Sequence, residues 1–205
     1  MVDEIYEVNE YIAGKNITAN NLYRICYLMV RWYKQNGYSK LAIRDELFNW
    51  GEKHGVYFKF KINNVNNRVF EKESETDLKS PVVKINKHDI DEINRRFDSE
   101  KSKLVALAML CYAKGHADAK REFVISSVAL SAWTGIDRKM LCNKYIQELI
   151  DYEYLTVVNK PENSKKWDAS YSEQSTRYKL KMSLHNSGDY ILENNNLGVL
   201  FSKVF

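Results

Sequence analysis

EFVISSVALSAWTGIDRKMLCNKYIQELIDYEYL, residues 122–155, is the stretch on which the fold turns. EFVIS reads as a short strand, SVALSAWTG as a helix of two turns stopped by Gly135, and a second, longer helix opens behind Asp137, which is placed to cap it. Two helices joined by a sharp glycine turn make a helix-turn-helix outline, in which the first helix braces the second. The apolar positions fit that arrangement. Val128, Leu130 and Trp133 on the first helix, Ile136 in the turn, and Leu141, Tyr145, Ile146, Leu149 and Ile150 on the second are expected to hold the pair together. The other side of helix 137–150 carries Arg138, Lys139, Asn143, Lys144 and Gln147, side chains that contact phosphates or hydrogen-bond the edges of bases.

The sequence downstream extends this outline. YLTVVNK (154–160) and TRYKLKM (176–182) read as strands flanking a polar loop, 161–175, so a two-stranded hairpin is expected. Its second strand alternates Tyr178, Leu180 and Met182 with Arg177, Lys179 and Lys181, which gives the hairpin one apolar and one basic side. Lys165 and Lys166 add charge in the loop, where Trp167 and Tyr171 are candidates to stack on bases or to anchor the loop. Residues 159–181 hold 6 Lys/Arg against 3 Asp/Glu. A basic hairpin of this kind can lie on a phosphate backbone or in a minor groove.

In this order of elements, with a strongly apolar helix at 100–114 ahead of it, the chain resembles the winged-helix superfamily. The likeness is greatest to the winged-helix domains of phage and plasmid replication initiators and of small bacterial regulators. It covers about the last half of the chain and does not reach the first 80 residues. It implies double-stranded DNA as a partner, read in the major groove by helix 137–150 and held at its phosphates by the 154–182 wing.

Upstream, DEIYEVNEYIAG (3–14) reads as a short docking helix with a glycine stop. Residues 19–36 form a clear amphipathic helix, with Leu22, Ile25, Cys26, Met29, Val30 and Tyr33 on one stripe and Arg24, Arg31 and Lys34 elsewhere. After Asn36-Gly37, Ser39 caps a third helix carrying Leu41, Ile43, Leu47, Phe48 and Trp50 as far as Gly55. VYFKFKI (56–62) suggests a strand, with a helix following from about Asn63 to Phe70. EKESETDLKS (71–80), closed by Pro81, is the linker candidate, and PVVKI (81–85) a short strand before a helix capped by Asn86. The expected architecture is therefore mostly α, of the α+β kind. It has a helical module over 1–75, a winged helix-turn-helix over 76–182 with a two-stranded wing, and an extension over 183–205 that packs on the core or on a partner.

Composition sets the outer limits. The 205 residues carry a formal net charge of +4, too little for a basic coat or tail, so nucleic-acid binding requires a local patch. Residues 1–98 hold 16 Lys/Arg against 15 Asp/Glu, which leaves 15 against 12 for the second half. The acidic, amphipathic start and the shortness of the apolar runs predict a cytoplasmic protein with no membrane association.

No nucleotide-binding, nucleophile-elbow or zinc-protease motif is present. Neither His54, His88, His116 and His185 nor the cysteines have metal-ligand spacing. No enzyme activity, metal or cofactor is expected, and Cys26, Cys111 and Cys142 read as reduced, core or half-buried thiols. Asp89, Asp91 and Glu92 read as carboxylates favouring a helix start.

The favoured function is sequence-specific DNA binding by a regulator of transcription or replication in a bacterium, phage or plasmid. A homodimer is expected, with a protein partner for the N-terminal module. Three other readings fit the same residues. One is a structural winged helix with a solvated basic face. Another is a protein-interaction module in a replication complex or in phage defence and counter-defence. The last, a nuclease or nucleotidyl enzyme, would need a carboxylate cluster converging on Mg²⁺, for which the sequence carries no motif. For the strand, alternating charges also protect an exposed sheet edge.

Overall fold

The computed structural model describes residues 2–19, 21–58, 62–71, 77–159 and 176–205. It is an α+β protein, mostly helical, that divides into two compact units: Asp3–Ser80, and Met1–Val2 with Pro81–Phe205. No helix among the described residues is long and apolar enough to cross a membrane.

The first unit holds four helices, α1 (Glu4–Ile12), α2 (Leu22–Gln35), α3 (Lys40–His54) and α4 (Ile62–Glu71). The helix α2 is central and packs on the other three; Ile25, Cys26, Leu28, Met29 and Val30 are all fully buried. Burial pushes the Cys26 thiol up to about 12. Ser39 caps α3 by accepting from the Ala42 N–H, and Gly55 ends it at φ 64°, a left-handed turn that a side chain would strain.

The expected apolar stripe of α3 is only partly core. Ile43, Leu47 and Trp50 are buried, whereas Leu41 and Phe48 are 58% and 55% exposed. The strand expected over 56–62 does not form in its described part. The Val56 N–H donates to Gly51 O at 2.7 Å and Phe58 stacks on Trp50, which folds the chain back over the end of α3, and Ile62 is already helical.

Buried ion pairs fasten α1 to α2. Glu7 receives two 2.7 Å bonds from Arg24 (Nε to Oε1, Nη2 to Oε2) and a 2.6 Å bond from the Tyr11 hydroxyl. Arg31 donates to Glu4 at 3.0 Å and to the Asp77 carbonyl at 2.6 Å, while the Lys79 N–H reaches Glu4 Oε2. Burial acts to raise both carboxyl pKa values, but the hydrogen bonds and charges of Arg31 and Arg24 win and hold them below the ordinary range. The same bonds tie residues 77–80 to α1, with Leu78 buried, so this end of the expected linker is part of the helical unit; 72–76 lie outside the described residues.

The second unit is built around α6 (Glu100–His116), whose residues Val105 to Cys111 are buried without interruption. Against it pack α5 (Lys87–Arg96), β2 (Glu122–Val124) and the chain that follows. After α7 (Ser127–Thr134) come α8 (Arg138–Met140), a π-helical turn (Leu141–Tyr145) and α9 (Ile146–Asp151). Next are β3 (Leu155–Asn159) and β4 (Arg177–Leu180). The sheet is antiparallel and three-stranded in the order β2-β4-β3, so the expected two-stranded hairpin gains β2 as a third strand and β4 becomes central. Residues 160–175, which include the expected polar loop, lie outside the described residues.

A second small sheet pairs β1 (Lys84–Ile85) with β5 (Tyr190–Ile191), and α10 (Leu197–Val204) returns to the core through Leu197 and Leu200. Lys114 knots these parts together. Its side chain is fully buried, and Nζ donates to Asp89 Oδ2 at 2.6 Å, Lys84 O at 2.8 Å and His185 O at 2.8 Å, using all three protons. Asp89 also completes a capping box with Asn86. The carboxylate expected merely to favour a helix start is therefore half of a buried ion pair. Val2 docks here too: its N–H donates to Asn195 Oδ1 at 2.9 Å, and its carbonyl lies 3.1 Å from His116 Nε2.

Candidate nucleic-acid interface

The helix expected to face a ligand is set by short-range polar bonds. Ser126 caps α7, Gly135 ends it at φ 69°, and Ser131 Oγ donates to Ile136 O at 2.6 Å, which fixes the turn. Asp137 then accepts from the Lys139 and Met140 N–H groups and starts the next helix. Its inner side is anchored by buried Leu141, Tyr145, Ile146 and Leu149, and by Ser102 Oγ donating to Glu148 Oε2 at 2.9 Å.

Two members of the expected interlock are not fully buried, although Trp133 does pack against the core. Val128 is 40% exposed. Trp133 is half-buried and gives its indole N–H to Asn195 O at 2.7 Å, holding the C-terminal segment.

The helix is also not uniform. At Leu141–Tyr145 the backbone takes a π turn, with Ile146 N–H bonding Leu141 O across five residues. The extra residue keeps Leu141 and Ile146, five apart, both on the core side. Spacing alone treats this helix as a continuous α-helix and gives no signal of the bulge.

Arg138, Lys139, Asn143, Lys144 and Gln147 are all exposed, and so is Cys142, which the sequence reading had placed among core or half-buried thiols. Arg138 Nε donates to Ser127 Oγ at 2.9 Å, and Gln147 Nε2 to Asp151 Oδ1 at 2.8 Å. The Lys144 ammonium lies 5.3 Å from the Tyr145 ring centroid. Lys139, Asn143 and Lys144 have no side-chain hydrogen bond or ion pair among the described residues.

The strand is different. Tyr178 and Leu180 are buried and Arg177, Lys179 and Lys181 exposed, in strict alternation. Yet Arg177 Nη1 lies 3.2 Å from Glu122 and 3.4 Å from Asp118, and Lys181 lies 3.5 Å from Glu153. Lys179 stands directly opposite Glu122 in the β2–β4 ladder. Because β4 is central, neither an unopposed basic rim nor a protected edge describes it: its charges answer carboxylates on neighbouring segments. Asp118 is held below the ordinary carboxylate range by the Glu122 and Lys120 N–H groups and by Arg177. Lys165, Lys166, Trp167 and Tyr171 lie outside the described residues.

Spacing gives no signal for Ser127, which steers Arg138 from across the turn, or for Lys120 and Arg121, exposed in the turn before β2 with Arg121 at φ 63°. The histidines are dispersed. His54 packs on Trp50, His116 stacks on Tyr112, and His88 and His185 are exposed. Among the described residues no group of three His, Cys, Asp or Glu side chains is placed to share a metal ion. In comparisons with known proteins, the chain matches no family model, no curated protein and no solved structure.

Proposed function

We propose that the second unit is a winged-helix domain and that the protein binds double-stranded DNA sequence-specifically, as a regulator of transcription or replication in a bacterium, phage or plasmid. On this reading the helix beginning at Arg138 enters the major groove. The observation that carries the proposal is the outer face of that helix. Lys139, Asn143 and Lys144 are presented to solvent with no side-chain hydrogen bond or ion pair among the described residues, from a helix whose opposite side is locked into the core. Unpaired amide and ammonium groups on a rigid helix are what base edges and phosphates require. The order α6, β2, α7, turn, helix, hairpin supports the winged-helix assignment.

Exposed Val128 and Met140, at 40% and 46%, favour a second reading, in which this motif binds a protein. Titration with a random duplex pool at rising salt separates the two. Affinity that falls steeply and log-linearly with salt supports DNA, whereas no duplex binding at any salt sinks that reading.

A further inference from the structure

The helix α4 of the first unit carries a pattern that packing does not explain. Its buried side is Ile62, Val65, Asn66 and Val69, seated against α2 and α3, and Asn66 is fixed there by donating to Lys40 O at 3.1 Å. Its outer side shows Asn63, Asn64 and Asn67 exposed, with Arg68 half-exposed beside them. Asparagine is a poor residue for a helix interior, so three solvent-facing copies weaken α4 rather than build it.

Three cations gather at α4, whose one carboxylate, Glu71, stands at its end. Elsewhere in the unit Lys15, Arg24, Arg31 and Arg44 pair with carboxylates, while exposed Lys53 and Lys79 have no ion pair among the described residues. Lys34, Lys40 and Arg68 have no carboxylate partner among the described residues, and all three converge on α4. The ammonium groups of Lys34 and Lys40 lie 4.8 and 5.3 Å from the centroid of one ring, Phe70. Lys34 bonds Val69 O, which accounts for it as a cap of the last turn, and Lys40 donates to Asn67 Oδ1 at 3.4 Å, so the second ammonium adds like charge beside one ring with no carboxylate to offset it among the described residues.

The geometry points to α4 as a second double-stranded DNA surface. Asn63, Asn64 and Asn67 would meet base edges in a major groove, and Lys34, Lys40 and Arg68 the flanking phosphates. Amides are the side chains that bond adenine bidentately, and cations not neutralised by a carboxylate complement a polyanion. A duplex of B form is specified because the major groove of an A-form RNA helix is too deep and narrow to admit a helix. The surface stands independently of the helix beginning at Arg138.

The test is photo-crosslinking of the full chain to a duplex DNA pool, with the crosslinking amino acid placed at position 64, at 143, or, as a control, at exposed position 5. Crosslinking at 64 and not at 5 is expected. It should survive Lys139→Gln with Lys144→Gln, and drop about fivefold or more with Lys40→Gln and Arg68→Gln in a variant of unchanged melting temperature. A crosslink at 64 without one at 143 still supports this surface while overturning the reading of the second unit. Crosslinking at 143 alone, at neither position, equally at 5, or at 64 only to RNA or protein overturns it.

Discussion

Two basic surfaces of the second unit look alike in sequence and differ in the fold. Lys139 and Lys144 stand on a helix and form no ion pair among the described residues, whereas Arg177 and Lys181, on or beside the central strand, face Asp118, Glu122 and Glu153. The difference is one of geometry. A helix anchored by one stripe leaves its opposite face open, but a central strand has a neighbour on each side, and those neighbours bring their own charges. A count of Lys and Arg along the chain is therefore a poor guide to positive surface.

The largest expected effect strikes what both surfaces hang from. Lys114→Met leaves the Asp89 carboxylate buried without its cation and should destabilise the unit by about 3–5 kcal/mol in urea unfolding, because a lone buried charge keeps its desolvation cost. Asp89→Asn combined with Lys114→Met should recover part of that loss. A single variant as stable as the parent would show that the knot contributes nothing, and that the two surfaces are positioned independently of it.

On the helix side, Asn143→Ala should reduce discrimination between preferred and random duplexes by about 1–3 kcal/mol, the cost of one base contact, while the melting temperature holds. Lys139→Gln with Lys144→Gln should leave the preference intact and flatten the dependence of log affinity on log salt by roughly 0.9 per lost phosphate contact. Selection from random DNA followed by salt titration measures both. Loss of preference in the lysine variant and not in Asn143→Ala would exchange their roles.

What the sequence reveals and what it hides divide along the range of the interaction. Helix starts and stops are written locally, in Ser39, Asn86 and Asp137 and in Gly14, Gly55 and Gly135, and the alternation of Arg177–Leu180 correctly separates inside from outside. Pairings across the chain leave no such mark. Arg24 and Arg31 read as an outer polar side of α2, yet they neutralise Glu7 and Glu4, which lie 17 and 27 residues earlier. Lys114 meets Asp89 across 25 residues. Val128 scores as apolar and is left exposed because α7 has only two turns, and Leu130 occupies the fully buried position. The candidate helix face was legible because exposure follows from a buried stripe on the same helix. The strand face was not, because its charge depends on Asp118 and Glu122, which precede it by more than 50 residues.

The smallest expected effect is on the strand, and it decides whether the contrast between the surfaces is real. Arg177→Gln removes a guanidinium that already has two carboxylates within 3.4 Å. Replacing it strips little net positive charge from the surface that a duplex would meet, since Asp118 and Glu122 bind it first. The salt slope of DNA binding should therefore stay within about 0.5 of the parent, well under the shift expected from the helix lysines. Stability should barely change, since the Arg177 and Asp118 side chains are nearly half exposed and such bridges contribute little. The complementary change, Glu122→Gln, sharpens the same point. It leaves Arg177 with Asp118 alone and removes the negative charge opposite Lys179, so affinity for every duplex should rise by a small, sequence-independent factor that vanishes at high salt. If Arg177→Gln instead lowers the slope by a full contact and Glu122→Gln does nothing, the carboxylates give way when DNA arrives. The strand would then be a phosphate-binding surface equal to the helix.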